Sequence, residues 1–345
     1  LPLPVDVACC AAQRIQYLNY YTSFEDESVR KPVSFAVILL VLAACSDPPP
    51  VSPVQSGLTQ ADSVAASAKV SASTDQRGNG LPYEIIGSQV WDVPDPVSGR
   101  DYQVFVALPA SYADEPDRRY PVMYVTDAAY AFPLIKQIAR RLNGEGPAIE
   151  EFILVGLSYA VGEAGMPSRR RDYTPTPAGA SGAPDDAVHG QSEAYIAYLR
   201  DNVLPFVAKR FRTDEQQRLL LGHSYGGLLA TQVLLTQPRL FTGYVLGSPS
   251  YWYDHRVMEQ FEQRYADAHD DLPASVYIYV GEYEQRRFGK TYDMVSDARR
   301  MANNLRSRRY PSLQLQLDVL ADEDHLSVAP RGFTHGLKYL LGVKQ

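Results

Sequence analysis

The chain has 345 residues, of which 45% are hydrophobic and 21% charged, and its formal net charge is -7. That composition supports one large core or two ordinary ones and excludes a disordered chain. The mildly acidic balance lacks the basic field of a general nucleic-acid binder, and the three cysteines, Cys9, Cys10 and Cys45, leave the body of the chain without a disulfide framework or a cysteine metal site.

The first 80 residues read as targeting sequence rather than fold. A basic pair, Arg30 and Lys31, precedes the apolar run Val33–Leu42, then small residues and Cys45. This is the charged, apolar and small-residue order of a secretory signal, and the run is short for a membrane span. "LAAC" resembles the lipobox of bacterial lipoproteins, which implies acylation of Cys45 as the new N-terminus. Residues 1–44 are therefore expected to be an upstream extension plus lipoprotein signal peptide, with Val29 as the natural start. Residues 45–80, rich in Ser, Ala, Pro and Gln, are expected to be a flexible linker. The expected location is the periplasmic side of the cell envelope, on a lipid anchor. Ser46 points by analogy to the outer membrane.

From about Leu81 the pattern alternates. Strands are predicted at Tyr102–Pro109, Tyr120–Asp127 and Phe152–Tyr159, the last two as apolar runs of buried parallel type. Val161–Ser192 is rich in Gly and Pro and carries Arg169, Arg170 and Arg171; it is expected to loop over the strand ends as a mobile cover. A helix fits Glu193–Lys209, with Ile196, Leu199, Val203 and Phe206 on one face and a kink expected at Pro205. Then come the strand "RLLLGHS", a helix over Gly226–Gln237 and the strand "GYVLGSPS". A helix over Val257–Ala268, the strand "SVYIYVGE", a helix over Tyr292–Leu305, a strand over Leu313–Leu320 and a helix over Arg331–Leu341 complete the chain. Alternation of this kind implies an α/β domain with a mostly parallel sheet, which binds ligands at the carboxyl ends of its strands.

Gly222-His223-Ser224-Tyr225-Gly226 matches G-x-S-x-G, with an apolar strand entering and a buried helix leaving. Bare flanks let Ser224 stand clear in a sharp turn, with a helix N-terminus favouring developing negative charge; the alternative is an ordinary helix cap. A nucleophilic serine needs a base, and the order for this turn runs Ser, acid, His. Of the six histidines, His325 follows the last strand, whereas His335 falls inside the final helix. The acid should follow "VYIYV". Glu284 has cleared the strand end, with Glu282 and Asp293 as alternatives and Asp322 and Asp324 as weaker candidates. The oxyanion donors are expected to be the N–H of Tyr225 and one from the loop after the "YPVMYV" strand, at Ala128 or Ala129.

The segments "YPVMYVTDAAY", "RRRDYTPTP", "LRDNVLPFVAKRFRTD", "LLLGHSYGGLLA", "LFTGYVLGSPSYWYD", "VGEYE" and "DEDHLSV" run in order from about Asp101 to the C-terminus. Together they resemble an esterase family of α/β-hydrolases that includes esterase D and the enterochelin and salmochelin esterases. The resemblance implies the α/β-hydrolase fold over residues 81–345, with helices on both faces of the sheet and no separate cap domain. It implies a metal-free and cofactor-free serine hydrolase using Ser224, Glu284 and His325, with Tyr225 as an oxyanion donor. "TDAAY" departs from the glycine that often follows the family's Asp. Acyl transfer on the same chemistry and a non-catalytic envelope binding protein stand as alternatives. Aromatic residues past several strands, Tyr130, Tyr159, Tyr225, Tyr251, Trp252, Tyr253 and Tyr283, suit a flat or aromatic ester. Tyr130, Tyr159, Trp252 and Arg171 are the expected substrate contacts. The arginines at 169–171, with Arg286 and Arg287, are expected to offer positive charge to an anionic substrate such as a ferric catecholate siderophore.

Overall fold

The structure is a computed structural model that describes residues 75–179 and 182–343; the signal, Cys45 and nearly all of the expected linker lie outside those residues. One eight-stranded sheet organises the chain, in the order β1-β2-β4-β3-β5-β6-β7-β8. Its strands are β1 (Ser88–Asp92), β2 (Gln103–Ala107), β3 (Tyr120–Val125), β4 (Ile153–Leu157), β5 (Thr213–His223), β6 (Gly243–Gly247), β7 (Ser275–Gly281) and β8 (Gln314–Leu320). β1 and β2 pair antiparallel, as do β2 and β4, and all later pairs are parallel. With helices packed on both faces, this is the α/β-hydrolase fold.

Every residue of β3, β4 and β6 is buried, as expected where helices cover both faces. The sheet ends on β1 and β8, whose residues are mostly half-buried or exposed. On one face lie α1 (Ala128–Leu142) and α8 (Ala329–Leu341), packing Phe132, Ile135, Phe333 and Leu337 against β3, β5 and β7. The other face takes α2 (Gly165–Tyr173), α3 (Ser192–Tyr198), α4 (Leu204–Arg210), α5 (Tyr225–Thr236), α6 (Tyr253–Ala268) and α7 (Met294–Ser307). α5 is buried from Tyr225 through Leu235, which explains its lack of an amphipathic pattern.

Four elements differ from the sequence expectation. β1 and α1 went unread, the latter with Pro133 inside it. α2 occupies part of the stretch expected to be a mobile cover. The kink at Pro205 is a π-helical turn over Leu199–Val203, joining α3 to α4. Proline has no N–H to give to the carbonyl four residues back, and one wider turn absorbs the mismatch without ending the helical path.

Candidate active site

The sheet delivers the chemistry-bearing residues from the carboxyl ends of β3, β5, β7 and β8. At the end of β5 the chain turns abruptly into α5, and Ser224 takes φ 61°, ψ -119°. That backbone region is sparsely used by any residue with a side chain. The bend closes because its flanks are bare: a Cβ on Gly222 would strike the Gly226 backbone, and one on Gly226 would strike the Thr126 side chain. Ser224 N–H donates to the Gly247 carbonyl at 2.8 Å, and its carbonyl accepts from Leu228 N–H at 3.0 Å and Ser250 N–H at 3.2 Å. The Ser224 side chain makes no capping hydrogen bond; its Oγ faces Ser250 Oγ at 3.4 Å.

Glu284 sits just past β7, 2% exposed. Its Oε1 accepts from Gly281 N–H at 2.7 Å and Ser248 Oγ–H at 2.6 Å, and its Oε2 lies 2.7 Å from His325 Nδ1. Held this way, the carboxylate keeps the imidazole proton on Nδ1 and leaves Nε2 as the acceptor. The other acidic candidates are occupied elsewhere. Asp293 caps α7 through Ser296 N–H at 3.0 Å, and Glu282 lies 3.6 Å from Arg287. His335 stands in α8 with Nδ1 3.7 Å from Asp318. No hydrogen bond joins His325 to Ser224; His223, next to Ser224 in the chain, packs against His325, with ring centroids 4.8 Å apart. Catalytic hydrogen bonds commonly tighten only when substrate is bound.

Ala128 and Tyr225 each begin a helix, so their N–H groups have no acceptor within the helix. The two helix starts abut, with Gly226 against Thr126 and Asp127. Asp127, buried and left-handed at φ 56°, precedes Ala128. Its Oδ1 accepts from Tyr159 Oη–H at 2.7 Å and Arg169 Nε–H at 2.8 Å. A second Arg169 nitrogen reaches the His223 carbonyl at 3.4 Å, and the guanidinium stands 5.5 Å from the centre of the Tyr225 ring. Burial works against the charge on Arg169, but Asp127 together with Tyr159, Tyr173 and Tyr130 outweighs it and raises its pKa. Sequence reading found neither Asp127 nor Arg169 as individuals; the signal was the helical register of "RRRDY", which aims successive arginines in different directions.

Arg171 consequently differs from its expected role. Its guanidinium is buried in contact with Asp172, Glu163, Tyr102 and Ser168, a network that ties α2 to β2 and leaves it no donor for substrate. Tyr159 is a support for Asp127 rather than an open wall. Tyr251 and Tyr253 are core residues whose hydroxyls bond Thr231 and the Thr176 carbonyl. Tyr130 is exposed on the first turn of α1, its ring stacked 6.3 Å from Phe333. Trp252 stacks on Tyr292 at 3.9 Å with planes 6° apart, and stands 6.1 Å from Tyr225. Tyr292, unmarked as a contact in the sequence, completes this aromatic step beside the Ser224 turn.

A family model described as "Putative esterase" matches residues 96–314. The chain is 26% identical over 282 residues to the ferri-bacillibactin esterase BesA of Bacillus subtilis, covering 78% of this chain and 95% of that protein. It is 26% identical over 281 residues to the siderophore enterobactin esterase of Emericella nidulans, covering 72% and 92%. The crystal structure of the BES protein from Bacillus cereus superposes with a TM-score of 0.66 at 22% identity, over 78% of this chain and all of that one.

Proposed function

This chain belongs to that esterase family and is a carboxylic ester hydrolase; from that premise we propose that Ser224 is its nucleophile, His325 its general base and Glu284 the carboxylate that orients the base. The observation that carries the assignment is the strained Ser224 turn beside the 2.7 Å Glu284–His325 pair. In acylation, Ser224 Oγ attacks the ester carbonyl carbon while His325 Nε2 takes its proton. The C–O bond to the alcohol then breaks, and the same proton passes to the departing alkoxide. Water repeats the sequence on the acyl-enzyme and releases the acid. The N–H groups of Tyr225 and Ala128 hold the anionic oxygen, each contributing about 3–4 kcal/mol of transition-state stabilisation.

The natural substrate we assign is a siderophore ester. The ferri-bacillibactin and enterobactin esterases to which the chain is similar support this. So does the Trp252–Tyr292 step, which offers a flat face to an aromatic acyl group. Of the three adjacent arginines, Arg169 and Arg171 are neutralised by Asp127, Asp172 and Glu163, so any charge offered to an anionic substrate from that run belongs to half-buried Arg170. The lipobox-like sequence at Cys45 supports placing the enzyme on a lipid anchor at the periplasmic face of the envelope. Turnover of p-nitrophenyl acetate and of a triscatecholate trilactone, free and ferric, is the test. Ser224→Ala is expected to lower both by about three orders of magnitude or more. Hydrolysis of the simple ester without any action on the trilactone would remove the siderophore assignment and leave the esterase.

A further inference from the structure

We propose that His223, the first variable residue of the G-x-S-x-G turn, is a positioning residue that fixes the His325 imidazole beside Ser224 by donating a hydrogen bond to the His325 backbone carbonyl. The proposal rests on the reading of Ser224 and His325 as nucleophile and base.

His223 is buried between β7 and the loop that carries His325. Its Nε2 lies 3.0 Å from the His325 carbonyl oxygen and its Nδ1 lies 3.2 Å from Tyr279 Oη. A carbonyl only accepts, so the proton must be on Nε2, and Nδ1 must then accept the Tyr279 hydroxyl proton. That hydroxyl is a dependable donor, because burial raises its pKa well above the ordinary value. Tyr279 is held against Gly247, where a Cβ would collide with its hydroxyl. The chain of contacts therefore sets one tautomer of His223 and one direction for its N–H. Burial, then His325 and Arg169, lower the pKa of His223 well below 6.5, so the ring stays neutral. Neutrality matters: a charged ring with its centroid 4.8 Å from that of His325 would oppose the imidazolium that forms there.

His325 thus has two anchors of different kind. Glu284 holds the ring at Nδ1, and His223 holds the backbone of the same residue. One bond alone lets the loop slide while the other persists; both together fix where Nε2 stands relative to Ser224. His223 is covalently next to Ser224, so the distance being fixed runs through one peptide unit.

Three variants test this with p-nitrophenyl acetate and a fluorophosphonate label. His223→Phe keeps the ring and removes the donor. His223→Gln replaces the imidazole with an amide that carries a donor near the Nε2 position. Tyr279→Phe removes the group that sets the tautomer. A small misplacement of a catalytic group costs about 100-fold. The expected result is that His223→Phe lowers kcat and the labelling rate by about that factor with KM within about twofold. His223→Gln should recover most of the loss, and Tyr279→Phe should fall between. A His223→Phe protein with wild-type circular dichroism and kcat within about twofold of wild type overturns the proposal. So does an equal loss in the Gln and Phe variants. If His223→Phe does not fold, Tyr279→Phe decides, and its unchanged kcat overturns the proposal. Ser224→Ala separates the two readings. Wild-type turnover there removes the nucleophile assignment itself, whereas a dead Ser224→Ala beside a fully active His223→Phe removes only the positioning role.

Discussion

At the residue scale, two residues carry free energy that the rest of the site must offset. Ser224 is held in a backbone region that costs about 1–3 kcal/mol for a residue with a Cβ, and bonds to Gly247, Leu228 and Ser250 keep it there. His223 is buried in neutral form, faced by Arg169, His325 and the hydroxyl of Tyr279. Its folded pKa lies below the 6.5 expected of the unfolded chain. The unfolded state therefore binds more protons in acid, and the stability contributed by this ring is fully present above pH 6.5 and is lost as pH falls below it. Thermal unfolding of wild type and His223→Gln at pH 7.5 and 5.5 checks this: the wild-type midpoint should drop further between the two pH values, and equal drops would assign the acid sensitivity to other groups.

The arrangement of whole elements matters most where α1, α2 and the start of α5 meet. α2 places Arg169 between the Asp127 carboxylate at the head of α1 and the carbonyl of His223 at the end of β5. The two N–H groups assigned to the oxyanion are thereby tied through one guanidinium, with Tyr159 as a second donor to Asp127. Arg169→Met would leave Asp127 without its cation in a buried setting, which typically costs about 3–5 kcal/mol. Urea unfolding should show a loss of that order. The double variant Arg169→Met/Asp127→Leu should lose less than the two single variants added together, since it leaves no uncompensated charge. Additive losses would mean that the pair does not act as a unit. Activity is expected to fall more than stability at ambient temperature, because small changes in donor placement act directly on the transition state.

For the whole molecule, the proposed anchor and the catalytic body make separate demands on the sequence. Cys45→Ala is expected to move the protein from the membrane fraction to the soluble one with esterase activity per molecule unchanged; retention in the membrane fraction would remove the lipid-anchor assignment. Within the body, local sequence specified a good deal. Buried apolar runs marked β3, β4 and β6, because strands covered on both faces contain little else. Glycines around Ser224 marked the turn, because a tight approach excludes any Cβ whatever the wider fold. Chain order and the sheet's polarity placed His325 just past β8 and an acid just past β7, with Glu282, Glu284 and Asp293 as candidates, and only the 2.7 Å contact to His325 singled out Glu284. Side-chain direction did not follow. Arg169, Arg170 and Arg171 are chemically identical neighbours, and only the placement of α2 sends the first to Asp127 and the third to Asp172 and Glu163. Tyr159, Tyr251 and Tyr253 resembled pocket aromatics by position, yet each hydroxyl is consumed by an internal partner supplied from elsewhere in the chain. The sequence alone determined which groups stand at the strand ends, since that depends on local pattern. Only tertiary structure decided which of them face substrate, since that depends on which distant residue arrives first to take each donor and acceptor.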